Sequence, residues 1–224
     1  MNQQKDKDIE AVARYYAQLA PDYELQEQDE EREEDLEEVA DGVAGLIAGQ
    51  RVLELACGTG RWTEMLVDEA EHVIAVDINE AMLEQARERG LDEEQVSFIQ
   101  ADALDLPADL DLADVGVVFI GFWWSHLTRD VGERLLASLR KRVAKAAQLI
   151  ILDDNYVEGL SLPVARTDAQ GNTWQLVTTP DGERFELPKS YPTDSSLRKR
   201  FANVAREIRV ARWDTVWVLT CRLK

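Results

Sequence analysis

The segment from Arg51 to Thr63, RVLELACGTGRWT, places the strongest constraint on the fold. Its first part, 52–55, is a short and mainly apolar run that predicts a buried strand. The run breaks at 57–60, where two glycines allow a tight turn and let a ligand approach bare backbone. Helical spacing begins at Trp62. A strand, a glycine turn and a helix in this order predict a cradle for a small ligand.

The glycine turn departs from the two common phosphate-binding loops. A dinucleotide fingerprint has a third glycine three residues after the second, where this chain has Thr63. A phosphate loop requires Gly-Lys-Ser/Thr, and the sequence contains no such run. The carboxylate of Glu54, two residues before Ala56, would repel a pyrophosphate but can attract an ammonium. A ligand that carries positive charge therefore fits better than one that carries phosphates.

Three motifs resemble those of one enzyme family. The run 54–60, ELACGTG, resembles the first motif of the class I S-adenosylmethionine-dependent methyltransferases, with Ala56 in the first glycine position. The run 73–77, VIAVD, resembles the ribose-binding second strand of that family, and 99–103, IQADA, resembles its adenine-binding loop. The motifs occur in the family's order and spacing, so the chain is identified as a member of the small-molecule type.

The resemblance implies S-adenosyl-L-methionine as cofactor, S-adenosyl-L-homocysteine as its product, and in-line displacement of the methyl group onto a small molecule. It assigns the methionine end of the cofactor to Glu54, through nearby backbone, and to the amides of Gly58 and Gly60. It assigns the ribose to Asp77 and the adenine to Asp102. The expected cofactor-binding residues are Tyr16, Tyr23, Glu54, Ala56, Gly58, Gly60, Asp77, Ile78, Asp102, Ala103 and Phe119.

A second informative stretch, 121–127, reads GFWWSHL and follows an almost wholly apolar run that predicts a central strand. Ligands bind at the carboxyl ends of such strands, and tryptophan rings can hold a sulfonium or an amine by cation–π attraction. His126 is the expected catalytic base, with a capping or hydrogen-bonding role as the alternative. The expected substrate-binding residues are Trp123, Trp124, Asp153, Tyr156 and Arg166.

The fold class expected is α/β. Five apolar runs alternate with helical patterns, and two alternating strands, 206–213 and 215–222, close the chain. The resemblance implies a Rossmann-like seven-stranded sheet in the order 3-2-1-4-5-7-6, with strand 7 antiparallel and helices on both faces.

The 224 residues are expected to form a single methyltransferase domain. Residues 1–48 are expected to form an N-terminal helical lid, where Tyr16 and Tyr23 either cover the cofactor or only pack. A hairpin about Pro180, Asp181 and Gly182 lies in an insertion, 156–195, that is expected to contribute to the substrate pocket.

Acidic residues dominate the net charge of −19, and eleven of them lie between Glu24 and Asp41. This run is either a solvated helix face or a surface that attracts cations and repels nucleic acid. We therefore expect no nucleic-acid partner. No apolar run approaches the ~20 residues that span a bilayer, and the first ten residues are polar, so we expect a cytoplasmic protein without a membrane partner.

Two cysteines and two histidines fit neither a disulfide framework nor any metal-ligand spacing, so we expect no metal. Three other functions stay open: a protein or peptide methyltransferase that docks basic substrates on the acidic surface, a nicotinamide oxidoreductase, and a non-catalytic S-adenosylmethionine-binding protein. The sequence does not select the acceptor, the atom that is methylated, or monomer over homodimer.

Overall fold

The computed structural model describes residues 2–23 and 30–224. The expected lid and acidic run thus lie partly, at residues 1 and 24–29, outside the described residues. The helices are α1 (Asn2–Leu19), α2 (Glu30–Ile47), α3 (Arg61–Val67), α4 (Glu80–Glu88), α5 (Arg129–Arg142) and α6 (Asp194–Phe201), with 3₁₀ turns at Ala20–Asp22 and Trp124–His126. The strands are β1 (Arg51–Leu55), β2 (His72–Asp77), β3 (Val96–Gln100), β4 (Val117–Gly121), β5 (Gln148–Asp154), β6 (Arg166–Thr167), β7 (Thr173–Thr178), β8 (Arg184–Pro188), β9 (Ala205–Arg212) and β10 (Val216–Leu223).

Seven strands form one twisted sheet in the order β3-β2-β1-β4-β5-β10-β9. The first five are parallel, and β10 runs antiparallel to both β5 and β9. Leu53 of β1 stands opposite Ile74 of β2 and Val118 of β4, so the centre of the sheet is apolar in register. Because β9 and β10 are the sixth and seventh strands of this sheet, the predicted order 3-2-1-4-5-7-6 is confirmed.

Helices cover both faces of the sheet, as predicted. Alternate residues of a strand point to opposite faces. Leu53 therefore packs with Leu135 of α5 and Phe201 of α6, whereas its neighbour Val52 packs with Leu66 of α3 on the other face. Burial on both faces explains why the central strands are nearly continuous apolar runs.

The predicted hairpin belongs to a second, three-stranded sheet in the order β6-β7-β8. Its turn closes where Thr179 N donates to Glu183 O, with Gly182 at a φ of 92°. Val12 of α1 packs against Phe185 and Leu187 of β8. The hairpin thus supports the N-terminal helix.

The acidic helix α2 is docked against the large sheet through one apolar face. Its acidic residues also bond within the chain: Asp35 accepts from Thr215 N at 2.7 Å, and Glu38 accepts from Trp213 Nε1 at 2.8 Å. The buried apolar residues of the helix are Leu36, Val39, Val43 and Ile47. Part of the acidic run therefore holds the helix in place. No helix in the described part of the chain is long and apolar enough to cross a membrane.

Candidate active site

A cavity lies at the carboxyl ends of β1, β2 and β4 and is bordered by α1. It encloses about 1020 Å³ of empty space, part of it open to solvent. One part of its wall carries the glycine turn and the acidic strand tips, with Glu54, Ala56, Gly58, Asp77, Ile78, Asp102 and Ala103. The rest is mostly apolar and aromatic, with Ile9, Val12, Tyr16, Tyr23, Trp62, Phe122 and Trp123.

The glycine turn is curled by three left-handed positions that alternate along the sequence. The φ angles of Ala56, Gly58 and Gly60 are 57°, 56° and 79°. A β-carbon on Gly60 would lie 3.0 Å from Cβ of Ala86 in α4, so this position also requires glycine for close packing. Ala56 adopts a conformation that costs a non-glycine residue about 1–2 kcal/mol, which marks the turn as a strained site.

The amides of the turn are already used within the protein, which corrects one expectation. Gly58 N donates to Asp77 Oδ2 at 2.9 Å, and Gly60 N donates to the carbonyl oxygen of Cys57 at 3.0 Å. The curl of the loop turns both N–H groups inward. They are therefore not free to hold a methionine carboxylate, and Gly60 packs on α4 instead of lining the cavity.

The carboxylate of Asp77 is fixed at the tip of β2. Its Oδ2 accepts from Gly58 N, and its Oδ1 accepts from Asn79 N at 2.8 Å. Burial raises the pKa of Asp77, while these two backbone donors oppose the shift. Each carboxylate oxygen can accept a further hydrogen bond. The side chain is thus a rigid, two-oxygen acceptor on the cavity wall.

Glu54 is buried beneath the turn with an exposed fraction of 2%. It accepts a hydrogen bond from Thr63 Oγ1 at 2.6 Å. Thr63, which occupies the position of the third glycine of a dinucleotide-binding loop, thus stabilises this carboxyl group. Burial raises the pKa of Glu54 to about 8, against the effect of Thr63 and with a smaller contribution from the charge of Asp77. A cation placed beside Glu54 would favour its ionised form.

The strand tips of β2 and β3 supply the next part of the wall. Ile78 is 41% exposed, so its apolar side chain is available to a flat ligand. Asp102 orders its own loop, because its Oδ1 accepts from Leu104 N at 2.8 Å. Ala103 lies beside it in the wall. All three residues were expected at the cofactor site, and they lie together in the wall of this cavity.

Aromatic rings form the other part of the cavity. Tyr16 and Tyr23 meet edge to face with ring centroids 5.9 Å apart. The Phe122 backbone has a φ of 55°, a left-handed value that is rare for a bulky residue and typical of functional sites. Trp62 is 9% exposed, and its Nε1–H has no hydrogen-bond partner among the described residues. That donor is buried, so Trp62 contributes its ring to the cavity wall.

His126 does not stand among the described residues that line the cavity. Its Nδ1 lies 2.7 Å from the carbonyl oxygen of Pro188, which can only accept, so Nδ1 carries the proton. Nε2 then accepts from the hydroxyl of Tyr16 at 2.8 Å. Burial, followed by the charge of Lys189, lowers the pKa of His126 to about 3. The expected base is therefore a neutral ring that holds Tyr16.

A buried charge cluster lies next to His126. Lys189 Nζ contacts Asp154 Oδ2 at 2.6 Å and Asp153 Oδ1 at 3.5 Å, and Arg32 of α2 contacts Asp154 Oδ1 at 2.8 Å. Although burial opposes ionisation, Lys189 and Arg32 lower the pKa of Asp154 to about 2. Asp153 is fully buried and also accepts from Ser125 N at 2.7 Å. Asp153 thus anchors the 3₁₀ turn, and its expected substrate contact is corrected.

Four further expectations are corrected by placement. Phe119 is fully buried beside Trp62, because β4 is covered on both faces. Trp124 is fully buried against Phe201, since the turn points successive side chains in different directions. Tyr156 is exposed beside Tyr191, and Arg166 pairs with Glu186 on the small sheet. None of the described cavity-lining residues comes from 156–195.

Sequence analysis missed Trp62, Phe122, Arg32 and Lys189 as contributors to the site. Phe122 lay within a loop that was singled out, and its position directly after the apolar strand was the available signal. The guanidinium of Arg32 lies 4.6 Å from the Phe122 ring centroid, a cation–π contact that joins α2 to the cavity wall. Arg32 was visible as the single basic residue of the acidic run. Nothing local marked Lys189.

Comparison with known proteins gives consistent matches. Residues 52–146 match the family model of a methyltransferase domain. Demethylmenaquinone methyltransferase of Clavibacter sepedonicus is 43% identical over 75 residues, covering 34% of this chain and 31% of that protein. Ubiquinone/menaquinone biosynthesis C-methyltransferase UbiE of Azotobacter vinelandii is 36% identical over 117 residues, covering 50% and 45%. The solved DhpI-SAH complex is 26% identical with a TM-score of 0.77, covering 96% of this chain and 97% of that one.

The chain spans less than half the length of these two curated relatives. The matched region nevertheless contains the glycine turn, the tips of β2 and β3, and the central strands of the sheet. The antiparallel β10 next to β5 completes the strand order expected of the same family. Residues 52–146 therefore match a methyltransferase domain, and by sequence and fold this chain is similar to the class I S-adenosylmethionine-dependent methyltransferases.

Proposed function

We propose that the chain transfers a methyl group from S-adenosylmethionine to a small-molecule acceptor. The observation that carries the proposal is the composition of one continuous cavity wall. Its strand tips offer the fixed carboxylate of Asp77 and the apolar surface of Ile78, which suit a nucleoside. Its aromatic part, with Tyr16 and Trp123, suits a small acceptor next to that nucleoside.

Each part of the wall has a role in holding the cofactor. Asp77 would accept from the ribose hydroxyls, Ile78 would lie against the adenine, and Asp102 would accept from its amino group. Glu54 would attract the ammonium of the methionine end, and the ring of Trp62 would border that end. When bound, S-adenosylmethionine supplies a sulfonium methyl group for in-line displacement and leaves S-adenosylhomocysteine.

The proposal assigns His126 a positioning role. At a pKa of about 3, protonating this buried ring at pH 7 would cost about 5 kcal/mol, so it is a poor general base. Its Nε2 instead accepts from the hydroxyl of Tyr16 and so fixes the position of this ring in the cavity wall. Alignment of the reactants is then the main contribution of the protein.

A small-molecule acceptor is supported from two sides. The curated relatives are named as methyltransferases of menaquinone and ubiquinone biosynthesis, so their named acceptors are quinone-type compounds and not peptides. A basic peptide would need the acidic residues of α2 as its docking surface. Two of them, Asp35 and Glu38, already accept hydrogen bonds from within the chain. A hydroquinone or phenol is therefore the first acceptor to test.

The proposal gives α1, within 1–48, the role of a lid. Val12 rests on Phe185 and Leu187, so the hairpin of 156–195 supports the lid and contributes to the site indirectly. The net charge of −19 disfavours contact with a phosphate backbone, so the proposal includes no nucleic-acid partner. A monomer or homodimer in the cytoplasm is sufficient for this activity.

The test is transfer of label from methyl-tritiated S-adenosylmethionine to hydroquinones, phenols, amines and basic peptides. We expect label in a small molecule and loss of transfer in Asp77→Ala. Arg166→Ala, which removes a charge on the small sheet, is the control and should retain methyl transfer. Label confined to peptides would replace the proposed acceptor class. Binding of S-adenosylhomocysteine without transfer to any acceptor would indicate a non-catalytic binding protein.

A further inference from the structure

A second groove lies behind the 3₁₀ turn that follows β4. Trp123, just before the turn, faces the main cavity, whereas Ser125 within it lines the groove. The groove is bordered by Thr128 at the start of α5, by α6 and by the small sheet, and holds about 1250 Å³ of empty space, part of it open to solvent. It is separate from the methyl-transfer site.

The charge of this groove is opposite to that of the chain. Its described lining residues include Arg129, Lys199 and Arg200 and no aspartate or glutamate. The main cavity, in contrast, contains three carboxylates on its wall. With 44 acidic against 25 basic residues in the sequence, a cationic groove without acids is a local reversal that favours an anionic ligand.

The guanidinium of Arg200 is held rigidly at the groove. Its central carbon lies 4.4 Å from the ring centroid of Trp124. Its Nη2 packs so closely on Gly132 that a β-carbon at that position would lie only 2.2 Å away. Nη2 reaches the carbonyl oxygens of Thr128 and Arg129 only at 3.4 and 3.3 Å, at the weak end of hydrogen bonding. Its buried Nε has no hydrogen-bond partner among the described residues.

No carboxylate of the described residues forms an ion pair with Arg200. Burial lowers its pKa to about 10, and Glu133, the acid that opposes this shift, is itself paired with Arg129 at 3.4 Å. The guanidinium also lies against the first turn of α5, where the helix dipole adds positive potential. Charges withdrawn from water are normally compensated, so this half-buried guanidinium favours an anionic ligand.

Two hydroxyl groups at the groove are also unsatisfied. Ser125 and Thr128 are 1% and 7% exposed, and neither hydroxyl has a hydrogen-bond partner among the described residues. Thr128 is the N-cap residue of α5 but makes no side-chain cap bond. Two hydroxyls and one Nε–H therefore stand as unused donors around one cationic groove.

We propose that this groove binds the phosphate group of a small phosphate ester. A guanidinium and hydroxyls from separate elements match the several acceptor oxygens of a tetrahedral oxyanion better than a planar carboxylate. The groove is much larger than an inorganic ion, so the phosphate is the end group of a larger molecule. The proposal is independent of the methyl-transfer activity, because it rests on residues outside that cavity.

The test is calorimetric titration of the full chain with phenyl phosphate and inorganic phosphate at constant ionic strength set by sodium chloride. We expect saturable binding of phenyl phosphate, tighter than that of inorganic phosphate, and no binding of benzoate. Arg200→Gln should weaken binding about tenfold to a hundredfold, the usual loss for a charged hydrogen-bonding partner. Lys199→Gln should weaken it severalfold, and because this residue is exposed, the variant should fold normally.

Arg198→Gln is the matched control, since it removes the same charge from α6 at an exposed residue that contacts Ile208 O and lies outside the groove. Its affinity for phenyl phosphate should equal that of the unmodified chain. Absence of saturable binding would overturn the proposal. So would equal affinity for benzoate, or equal losses in Lys199→Gln and Arg198→Gln.

Discussion

The hydroxyl of Tyr16 donates to Nε2 of His126 at 2.8 Å, across 110 residues of sequence. The other ring nitrogen donates to Pro188 O at 2.7 Å, so one neutral imidazole joins α1 to the end of β8. Tyr16 lines the cavity and His126 does not. The histidine therefore fixes part of the cavity wall and leaves any contact with a ligand to the tyrosine.

This relationship predicts strong coupling between the two side chains. His126→Ala leaves the Tyr16 hydroxyl and the Pro188 carbonyl without their partner, which should lower the free energy of unfolding by about 1–3 kcal/mol. Tyr16→Phe should lose less, and the double variant should lose less than the sum of the two. Urea denaturation measures all three. Additive losses would contradict the bond, and His72→Ala, at a half-buried histidine elsewhere, is the control.

The pKa of His126 predicts a pH dependence of stability. Its folded-state pKa of about 3 lies below the unfolded value of about 6.5, so the unfolded chain binds more protons between these values. The free energy of unfolding should therefore rise with pH between about 3 and 6.5 more steeply than that of His126→Gln. Above about 6.5 the difference in free energy between the two proteins should be constant. Unfolding free energies at a series of pH values measure it. A constant difference throughout would show that the ring titrates normally.

Glu54 should show the opposite sign. Its folded-state pKa of about 8 exceeds the unfolded value of about 4.3, so the native state holds more protons between them and loses stability as pH rises. Glu54→Gln should thus be more stable than the unmodified chain at pH 8. The same variant should bind S-adenosylhomocysteine about tenfold to a hundredfold more weakly, because it cannot pair with the ammonium.

Denaturation and calorimetry at pH 8 test both parts of this prediction. Glu64→Gln, a neighbouring change at an exposed side chain, should alter neither by a comparable amount. A Glu54→Gln protein that is less stable and binds equally well would refute the role assigned to Glu54.

Packing at the glycine turn predicts a large effect at one glycine and a small one at another. Gly60→Ala introduces a β-carbon 3.0 Å from Cβ of Ala86. It also forces alanine to adopt the φ of 79° that glycine has here, a value that alanine tolerates poorly. We expect a loss of about 1–2 kcal/mol from conformation and a further ~1–3 kcal/mol from overpacking. Gly49→Ala, with a φ of 64° and open space around it, should lose only the first amount. Equal losses in urea denaturation would contradict this account.

The strands and their acidic tips were predictable from local pattern, whereas the order of the sheet followed from the resemblance to the methyltransferase family. Apolar runs mark the strands, and the carboxyl ends of parallel strands meet at one edge, so Asp77 and Asp102 had to approach each other. The side-chain directions after β4 were not predictable, because a 3₁₀ turn ends the strand's alternation. Trp123 consequently faces the cavity, while Trp124 enters the core.

Long-range charge pairing was also beyond the sequence. Lys189 and Asp154 are 35 residues apart, one directly after β8 of the small sheet and the other at the end of β5 of the large sheet, and no periodic pattern links them. Asp153 was therefore expected to bind substrate, although both Asp153 and its neighbour Asp154 contact Lys189. Likewise, the acids of α2 looked like a solvated face until the structure brought Asp35 to Thr215.

The most direct test of the account is calorimetric titration of the folded chain with S-adenosylhomocysteine, alone and as Asp77→Ala, with Asp111→Ala as a control outside the cavity. We predict saturable one-to-one binding, a loss of at least about tenfold in Asp77→Ala because a charged acceptor is removed, and no change in Asp111→Ala. No binding heat from the folded chain, or equal affinity in Asp77→Ala, would contradict the assignment of the cavity to this cofactor.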